Sequence, residues 1–231
     1  MNSIDIEPEP KITCVIGKNN YKDYLVYNIL YEHLKTDKYK FGVVIGNAYP
    51  YCEYFSDNIY IKYEEQVLNN YFENIFKLYN KTNGNIDNNL LIIDTNEIDL
   101  NSYLWVYFLD FHKRYKTDVI LIMDKINEKN MDKLKMYVDI LYILKSNYNN
   151  HFNNIYNTFF KYMLNIEEFR EIYKTATDKI MNVLCVEFNE NKYYVHKINL
   201  DIPRYIFNTY KIYDEQKLYK QRCIVSDIIN V

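Results

Sequence analysis

Short apolar runs punctuate the chain at Ile12-Thr13-Cys14-Val15-Ile16, Phe41-Gly42-Val43-Val44-Ile45-Gly46, Leu90-Leu91-Ile92-Ile93-Asp94, Val119-Ile120-Leu121-Ile122-Met123 and Val138-Asp139-Ile140-Leu141-Tyr142-Ile143-Leu144. Runs of this length are too short for buried helices and too continuous for strands with one wet face, so they predict strands buried on both sides. Between them, apolar residues recur at helical spacing. Leu25, Ile29, Leu30 and Leu34 mark a helix from Tyr24 to about His33, after a loop from Gly17 to Asp23. Val67, Leu68, Tyr71, Ile75 and Leu78 mark a second, from Glu64 to about Tyr79, and Leu104, Trp105, Phe108 and Phe111 a third, from Asn101 to Tyr115. Asn58 to Tyr63 is a short extended piece, and Lys129 to Met136 a short helix. Strands alternating with helices imply right-handed parallel βαβ units with helices on both faces of one sheet. Ile12–Ile16 and Leu90–Ile93 are expected to be neighbouring strands of that sheet.

After Asn149 the pattern changes to two helices, His151 to Met163 and Ile166 to Thr177, the second capped by Asn165 with Glu167 and Glu168 in its first turn. Val183 to Ile198 reads as a hairpin around Asn189-Glu190-Asn191, extending one sheet edge. Residues 1–10, rich in proline and acid, form a flexible lead-in. Residues 11–198 make one α/β domain, and residues 199–231 are an extension that the pattern does not place on the sheet.

The loop opened by Gly17 stands where a nucleotide-binding P-loop would stand, between a buried strand and a helix. The motif G-x-x-x-x-G-K-[ST] wraps backbone N–H groups round the phosphates, extends a lysine to them, and gives magnesium a hydroxyl. Counted from Gly17, with Lys18 inside the loop, Lys22 takes the place of the second glycine, Asp23 of the lysine and Tyr24 of the hydroxyl. An aspartate beside a polyphosphate costs ~4 kcal/mol for each like-charge pair at ~4 Å and an effective dielectric of ~20. Such a loop repels ATP. A slip of one residue makes Lys22 the phosphate lysine, flanked by Tyr21 and Asp23. Downstream, Leu90–Asp94 ends in an acid, as does the strand that delivers a magnesium ligand in P-loop enzymes; a strand meeting a turn looks the same.

Composition narrows the class. The chain has 231 residues, 27 of them tyrosine, 12 phenylalanine and only 4 glycine, a bias of AT-rich genomes. A net charge of −3 excludes a general polyanion-binding surface and leaves only local nucleic-acid contacts. His112-Lys113-Arg114 with Lys116 is one candidate contact; a basic helix end also suits the helix dipole. Tyrosines beside lysines at Tyr21-Lys22, Lys38-Tyr39-Lys40 and Tyr115-Lys116 suit base stacking, or reflect codon bias. Cys14, Cys52, Cys185 and Cys223 are widely spaced and imply reduced thiols rather than disulfides or zinc. His33, His151 and His196 lack helical partners, and no metal is assigned. Without a signal peptide or a long apolar run, the protein is expected to be soluble and not secreted.

The order of these pieces from Ile12 to Ile198 resembles the DNA-packaging ATPases of poxviruses and other nucleocytoplasmic large DNA viruses, of the FtsK–HerA branch of P-loop ATPases. The resemblance rests on Leu90–Asp94, Phe111-His112-Lys113-Arg114, Val119–Met123, Asp139 to Asn147, and the helix Ile166 to Thr177 leading into the strand at Val183. It implies a P-loop NTPase-like, mostly parallel sheet sandwiched by helices with a C-terminal β-hairpin. It also implies Asp94 as a vestigial magnesium acid and Arg114 as an intersubunit arginine. Departures fall on the chemistry: the loop, Thr95 where an acid follows the strand, and Met123-Asp124 where a polar sensor stands. The expectation is an inactive relative without a bound cofactor, in the cytoplasm of an infected cell or in a virion, associating with itself or a viral partner. An ATPase using magnesium and ATP through an atypical loop, and an unrelated α/β interaction module, are the alternatives.

Overall fold

A computed structural model of the protein describes residues 9–18, 21–34, 39, 41–46, 59–60, 63–94, 96, 102–126, 131–146 and 149–201. The elements in chain order are β1 (Ile12–Ile16), α1 (Lys22–Leu34), β2 (Phe41–Gly46), β3 (Ile59–Tyr60), α2 (Glu65–Lys81), β4 (Asn89–Asp94), α3 (Tyr103–Phe111), β5 (Thr117–Met123), α4 (Met131–Tyr137), β6 (Ile140–Ile143), α5 (Asn149–Ile155), α6 (Ile166–Ala176), β7 (Asn182–Glu187) and β8 (Lys192–Lys197). The strands form one eight-stranded sheet in the order β3-β2-β4-β5-β1-β6-β7-β8. Strands β1 to β6 are parallel, and the β7–β8 hairpin continues the β6 edge antiparallel, as the sequence pattern predicts.

One expectation fails. β1 and β4 are parallel strands of one sheet but not neighbours, because β5 lies between them, with Leu121 paired to Cys14 on one side and to Ile93 on the other. Every residue of β5 is buried, and a strand apolar on both faces is most stable with neighbours on both edges. The hydrophobic run marks such a strand as central without saying which strands flank it.

Alternate residues of the strands feed two cores. Ile12, Cys14, Ile16, Leu91, Ile93 and Leu121 pack with α2, α3, α4 and α6, whereas Val15, Val44, Ile92, Ile120 and Ile122 pack with Leu25, Val26, Ile29 and Leu30 of α1. The first core is strongly aromatic: Phe72 stacks on Phe108 at 4.3 Å and on Trp105 at 5.3 Å between centroids. At the amino edge of the sheet, Asp118 and Asp139 accept hydrogen bonds from the backbone N–H groups of Lys11 and Ile12, at 2.8 and 2.7 Å, fixing where β1 begins.

Local sequence sets the helix ends. Asn165 and Glu168 form a reciprocal capping box at the start of α6, worth about 1 kcal/mol. α5 runs on into a single π-helical turn, Tyr156–Phe160. The hairpin turns through Phe188–Glu190 and a left-handed Asn191, φ 51°, a conformation that asparagine tolerates better than most residues. α1 begins at Lys22, two residues before the start that its apolar spacing suggests, and this shift shapes the site below. Most of the lead-in and of the extension, with Cys52 and Cys223, lies outside the described residues. Cys14 and Cys185 are buried and unpaired. No helix among the described residues is long and apolar enough to cross a membrane.

Candidate functional site

The carboxyl ends of β1, β4, β5 and β6 open on one edge of the sheet, and the Gly17 loop leaves from it. Gly17 has φ +136° and donates its N–H to the Met123 carbonyl at 3.0 Å; a Cβ there would lie 2.8 Å from that of Leu144. A side chain is excluded twice, by backbone conformation and by space. The Tyr21 carbonyl accepts the Leu25 N–H at 3.0 Å, which starts α1 at Lys22, with Asp23 favourably placed in the first turn.

From the first helical position the Lys22 ammonium reaches Asp124 at 3.0 Å and Asp94 at 3.5 Å. Lys22 and Asp94 keep 12% and 6% of their side-chain exposure, so both charges are largely withdrawn from water. Burial works against the ammonium, but Asp94 and then Asp124 outweigh it, and the Lys22 pKa rises. Lys22 is therefore protonated throughout the neutral range. Asp23 is pushed up by burial, against the pull of Lys22 and with a further push from Asp124. Its folded pKa lies above its unfolded one, so its ionised form opposes folding, and that penalty is shed as pH falls through the carboxylate range.

Two further residues hold the acids in place. Gly46 pairs with Asp94 across β2 and β4, at φ +104°, where a Cβ would fall 2.2 Å from the Asp94 carbonyl oxygen. Asn96 Oδ1 accepts the N–H groups of Asp124 at 2.9 Å and Lys125 at 3.4 Å, tying the end of β4 to the end of β5.

Counting the motif from Gly17 assigns the lysine place to Asp23, but it is Lys22 whose ammonium lies against the acids. This is the geometry of the one-residue slip: only four residues separate Gly17 from Lys22, one fewer than in G-x-x-x-x-G-K. Tyr24 is exposed on α1, its ring near those of Tyr21 and Tyr27. Lys18 is exposed and borders a cavity of about 500 Å³, with Asn96, Asp124, Lys125, Ser146 and His151 also in its wall.

The basic segment is not brought to this site. Phe111 to Thr117 lies at the amino end of β5, the opposite edge of the sheet. There Lys113 pairs with Glu9 at 2.8 Å, and Arg114 donates Nε–H to the Tyr79 hydroxyl at 2.8 Å with its guanidinium 4.7 Å from the Tyr79 ring centroid. Lys116 takes a left-handed turn, φ 45°, and its carbonyl accepts the Asn89 N–H. Within one chain, Arg114 and Asp94 therefore do not share a site.

Sequence reasoning noted Asp124 only at the polar-sensor position and gave Gly46, Asn96 and His151 no role in the site. A signal existed for Asp124, which follows an apolar strand just as Asp94 ends one. None existed for the other three. Among the described residues, no group of three or more His, Cys, Asp or Glu is placed to hold a metal ion.

No protein-family model matches the sequence, and no curated protein does. Solved structures do. Genome-packaging NTPase B204 of Sulfolobus turreted icosahedral virus 2, in complex with ATP-gammaS, is similar with a TM-score of 0.61 and 17% identity, over 81% of this chain and 97% of B204. Conjugation coupling protein TcpA of pCW3, in its monomer form with ATPgS, gives 0.55 and 11% over 84% of this chain and 62% of TcpA. The cytoplasmic domain of the type VII secretion ATPase EccC from Thermomonospora curvata gives 0.54 and 12%, over 81% of this chain and 25% of that one. At these identities the similarity is one of fold, and the fold is the mostly parallel, P-loop NTPase-like α/β sheet of viral genome-packaging and related ATPases.

Proposed function

We propose that this chain is a catalytically inactive relative of the viral DNA-packaging ATPases, retained as a structural, virion or regulatory protein in an infected cell. The observation that carries this reading is the closed charge cluster at the loop. Lys22, the one ammonium positioned to meet a phosphate at the start of α1, is committed to Asp94 and Asp124. Asp23 and Tyr21 flank it where magnesium's hydroxyl and a phosphate-admitting glycine belong. A phosphate approaching Lys22 must displace two carboxylates and then lie beside three. Steady-state hydrolysis of magnesium-ATP tests this: turnover of the wild type is expected to equal that of Asp94→Ala. Turnover that Asp94→Ala abolishes would refute inactivity.

One observation favours a second reading, an active ATPase with an atypical loop. The early start of α1 puts Lys22 beside a strand-terminal acid, the pairing expected of a phosphate lysine and a magnesium acid when no nucleotide separates them. Without the second glycine and the hydroxyl, this reading needs another residue to supply each function, and the described residues offer no evident one.

An inactive subunit of this fold persists through its surfaces, so self-association or pairing with a viral protein belongs to the same proposal. Tyr103 and Tyr162 are 79% and 77% exposed, and β8 displays Tyr193, Tyr194 and Val195. Tyrosine supplies large contact area at low entropic cost. Weak DNA contact through Lys113, Arg114 and Lys116 is compatible with their surface edge, though Lys113 and Arg114 already have partners. Sedimentation at micromolar concentration is expected to show species larger than the monomer. A lone monomer that ignores both DNA and lysate proteins from infected cells would remove this part.

A further inference from the structure

Among the described residues the sheet has one long open edge. β8 is its last strand, whereas β3 at the other end has only two residues, Ile59 and Tyr60. The register of β8 on β7 runs without a bulge from Lys192 opposite Glu187 to Lys197 opposite Asn182. Just beyond it the Ile198 N–H donates to the Met181 carbonyl at 2.9 Å, and on the other side of β7 the Phe188 N–H donates to the Asp139 carbonyl at 2.9 Å. Antiparallel hydrogen bonding alternates from residue to residue, so Lys192, Tyr194 and His196 bond to β7 while Tyr193, Val195 and Lys197 turn their N–H and C=O groups away from it. Among the described residues no strand stands opposite those outward groups.

Edge strands of monomeric sheets are commonly blunted by a proline, a bulge or a charge in mid-strand. Tyr193-Tyr194-Val195 carries none of these, and Tyr193 and Val195 are 56% and 46% exposed. The lysines stand at the two ends of the strand, and Lys192 pairs with Glu190 of its own turn. Their placement selects a partner and a direction. A second β8 laid parallel and in register would set ammonium beside ammonium at both ends, which is unfavourable. Laid antiparallel about a two-fold axis through Val195, it sets Val195 against Val195, Tyr194 against His196, Lys192 against Ile198, and Lys197 against Tyr193, where an ammonium suits an aromatic ring. All three outward residues then pair, exchanging about six hydrogen bonds, and no like charges stand directly opposite each other.

We infer that β8 pairs with β8 of a second copy of this chain, antiparallel about a two-fold axis at Val195, joining two eight-stranded sheets into one. This names the surface and the partner of the self-association proposed above and rests on that part of the reading alone. One strand pair makes a small interface, so sedimentation of the full chain should show a reversible dimer with Kd of ~1–100 μM. Val195→Pro deletes an outward N–H and takes no bond from β7, so it should leave the melting temperature within ~5 °C of the wild type. It should weaken association at least ~tenfold, because two-fold symmetry makes each substitution count twice. Val195→Lys leaves the backbone intact, sets two ammonium groups on the axis and should weaken association as much. Amide hydrogen exchange followed by NMR reads the pairing directly. In the wild-type dimer the amides of Tyr193 and Lys197 should be protected, and in monomeric Val195→Lys they should exchange fast while those of Tyr194 and His196 stay protected. A wild type that remains monomeric at ~500 μM would overturn this pairing together with self-association. Dimers that persist in both variants, or in which Tyr193 and Lys197 exchange as fast as in the monomer, would overturn the β8 pairing alone and leave self-association to another surface.

Discussion

Replacing Lys22 by methionine is expected to destabilise the protein by about 3 kcal/mol, the cost of leaving one member of a buried ion pair without its partner. Asp94 loses the Lys22 ammonium at 3.5 Å while its side chain is only 6% exposed. Asp124 loses the same partner but is 32% exposed and can turn to water, so it contributes less. Urea unfolding measures the change, and the double variant Lys22→Met/Asp94→Asn should recover much of it, because the buried carboxylate charge is then gone. A loss below ~1 kcal/mol in the single variant would mean that the cluster is solvated and behaves as a surface pair. The pH dependence has a definite sign. With its folded pKa raised, the Lys22 contribution is complete below the ordinary lysine range and disappears as pH rises through the folded value.

Gly46→Ala has the second-largest expected effect, a loss of about 2–3 kcal/mol, from a strained positive φ together with overpacking. The glycine sits at φ +104°, and the added Cβ would meet the Asp94 carbonyl oxygen at 2.2 Å, far inside contact distance. The backbone of β4 must move at its last residue, where Asp94 is aimed at Lys22. Thermal unfolding should register the loss, and the Asp94 backbone amide should shift in an NMR spectrum more than amides at the Asn89 end of the strand. A variant as stable as the wild type would show that β2 and β4 do not approach so closely at this end.

How legible these features were depends on the length scale of the force that makes them. Strands such as Leu90–Asp94 and Thr117–Met123 were readable because burial on both faces requires consecutive apolar residues, and the Asn165 cap because its hydrogen bonds are local. Sheet order was not readable, since the insertion of β5 between β1 and β4 depends on crossovers rather than on any residue's preference. At the site, Gly17 was found from motif spacing and Asp94 from an apolar strand that ends in an acid, but nothing in the spacing shows that Lys22 lies against the acids at the start of α1. That start is set by the Tyr21 carbonyl and by the acids that receive Lys22, and Asp124 is 102 residues away from it in the chain. Gly46 read as the last residue of a strand, and only the pairing with Asp94 reveals its steric role. Arg114, which the resemblance offers as an intersubunit arginine, lies at the amino end of β5, on the edge of the sheet opposite Asp94.

The central claim is that the loop no longer holds a nucleotide triphosphate, and calorimetric titration with magnesium-ATP reads it most directly. With the wild type, no saturable binding tighter than ~100 μM is expected, a limit of roughly −5.5 kcal/mol. The variant Tyr21→Gly/Asp23→Thr, which returns a glycine and a hydroxyl to either side of Lys22, should bind at least ~tenfold more tightly than the wild type. Wild-type binding tighter than ~100 μM that Lys22→Met removes would contradict the account, because Lys22 would then leave Asp94 and Asp124 for a phosphate as a working P-loop lysine does.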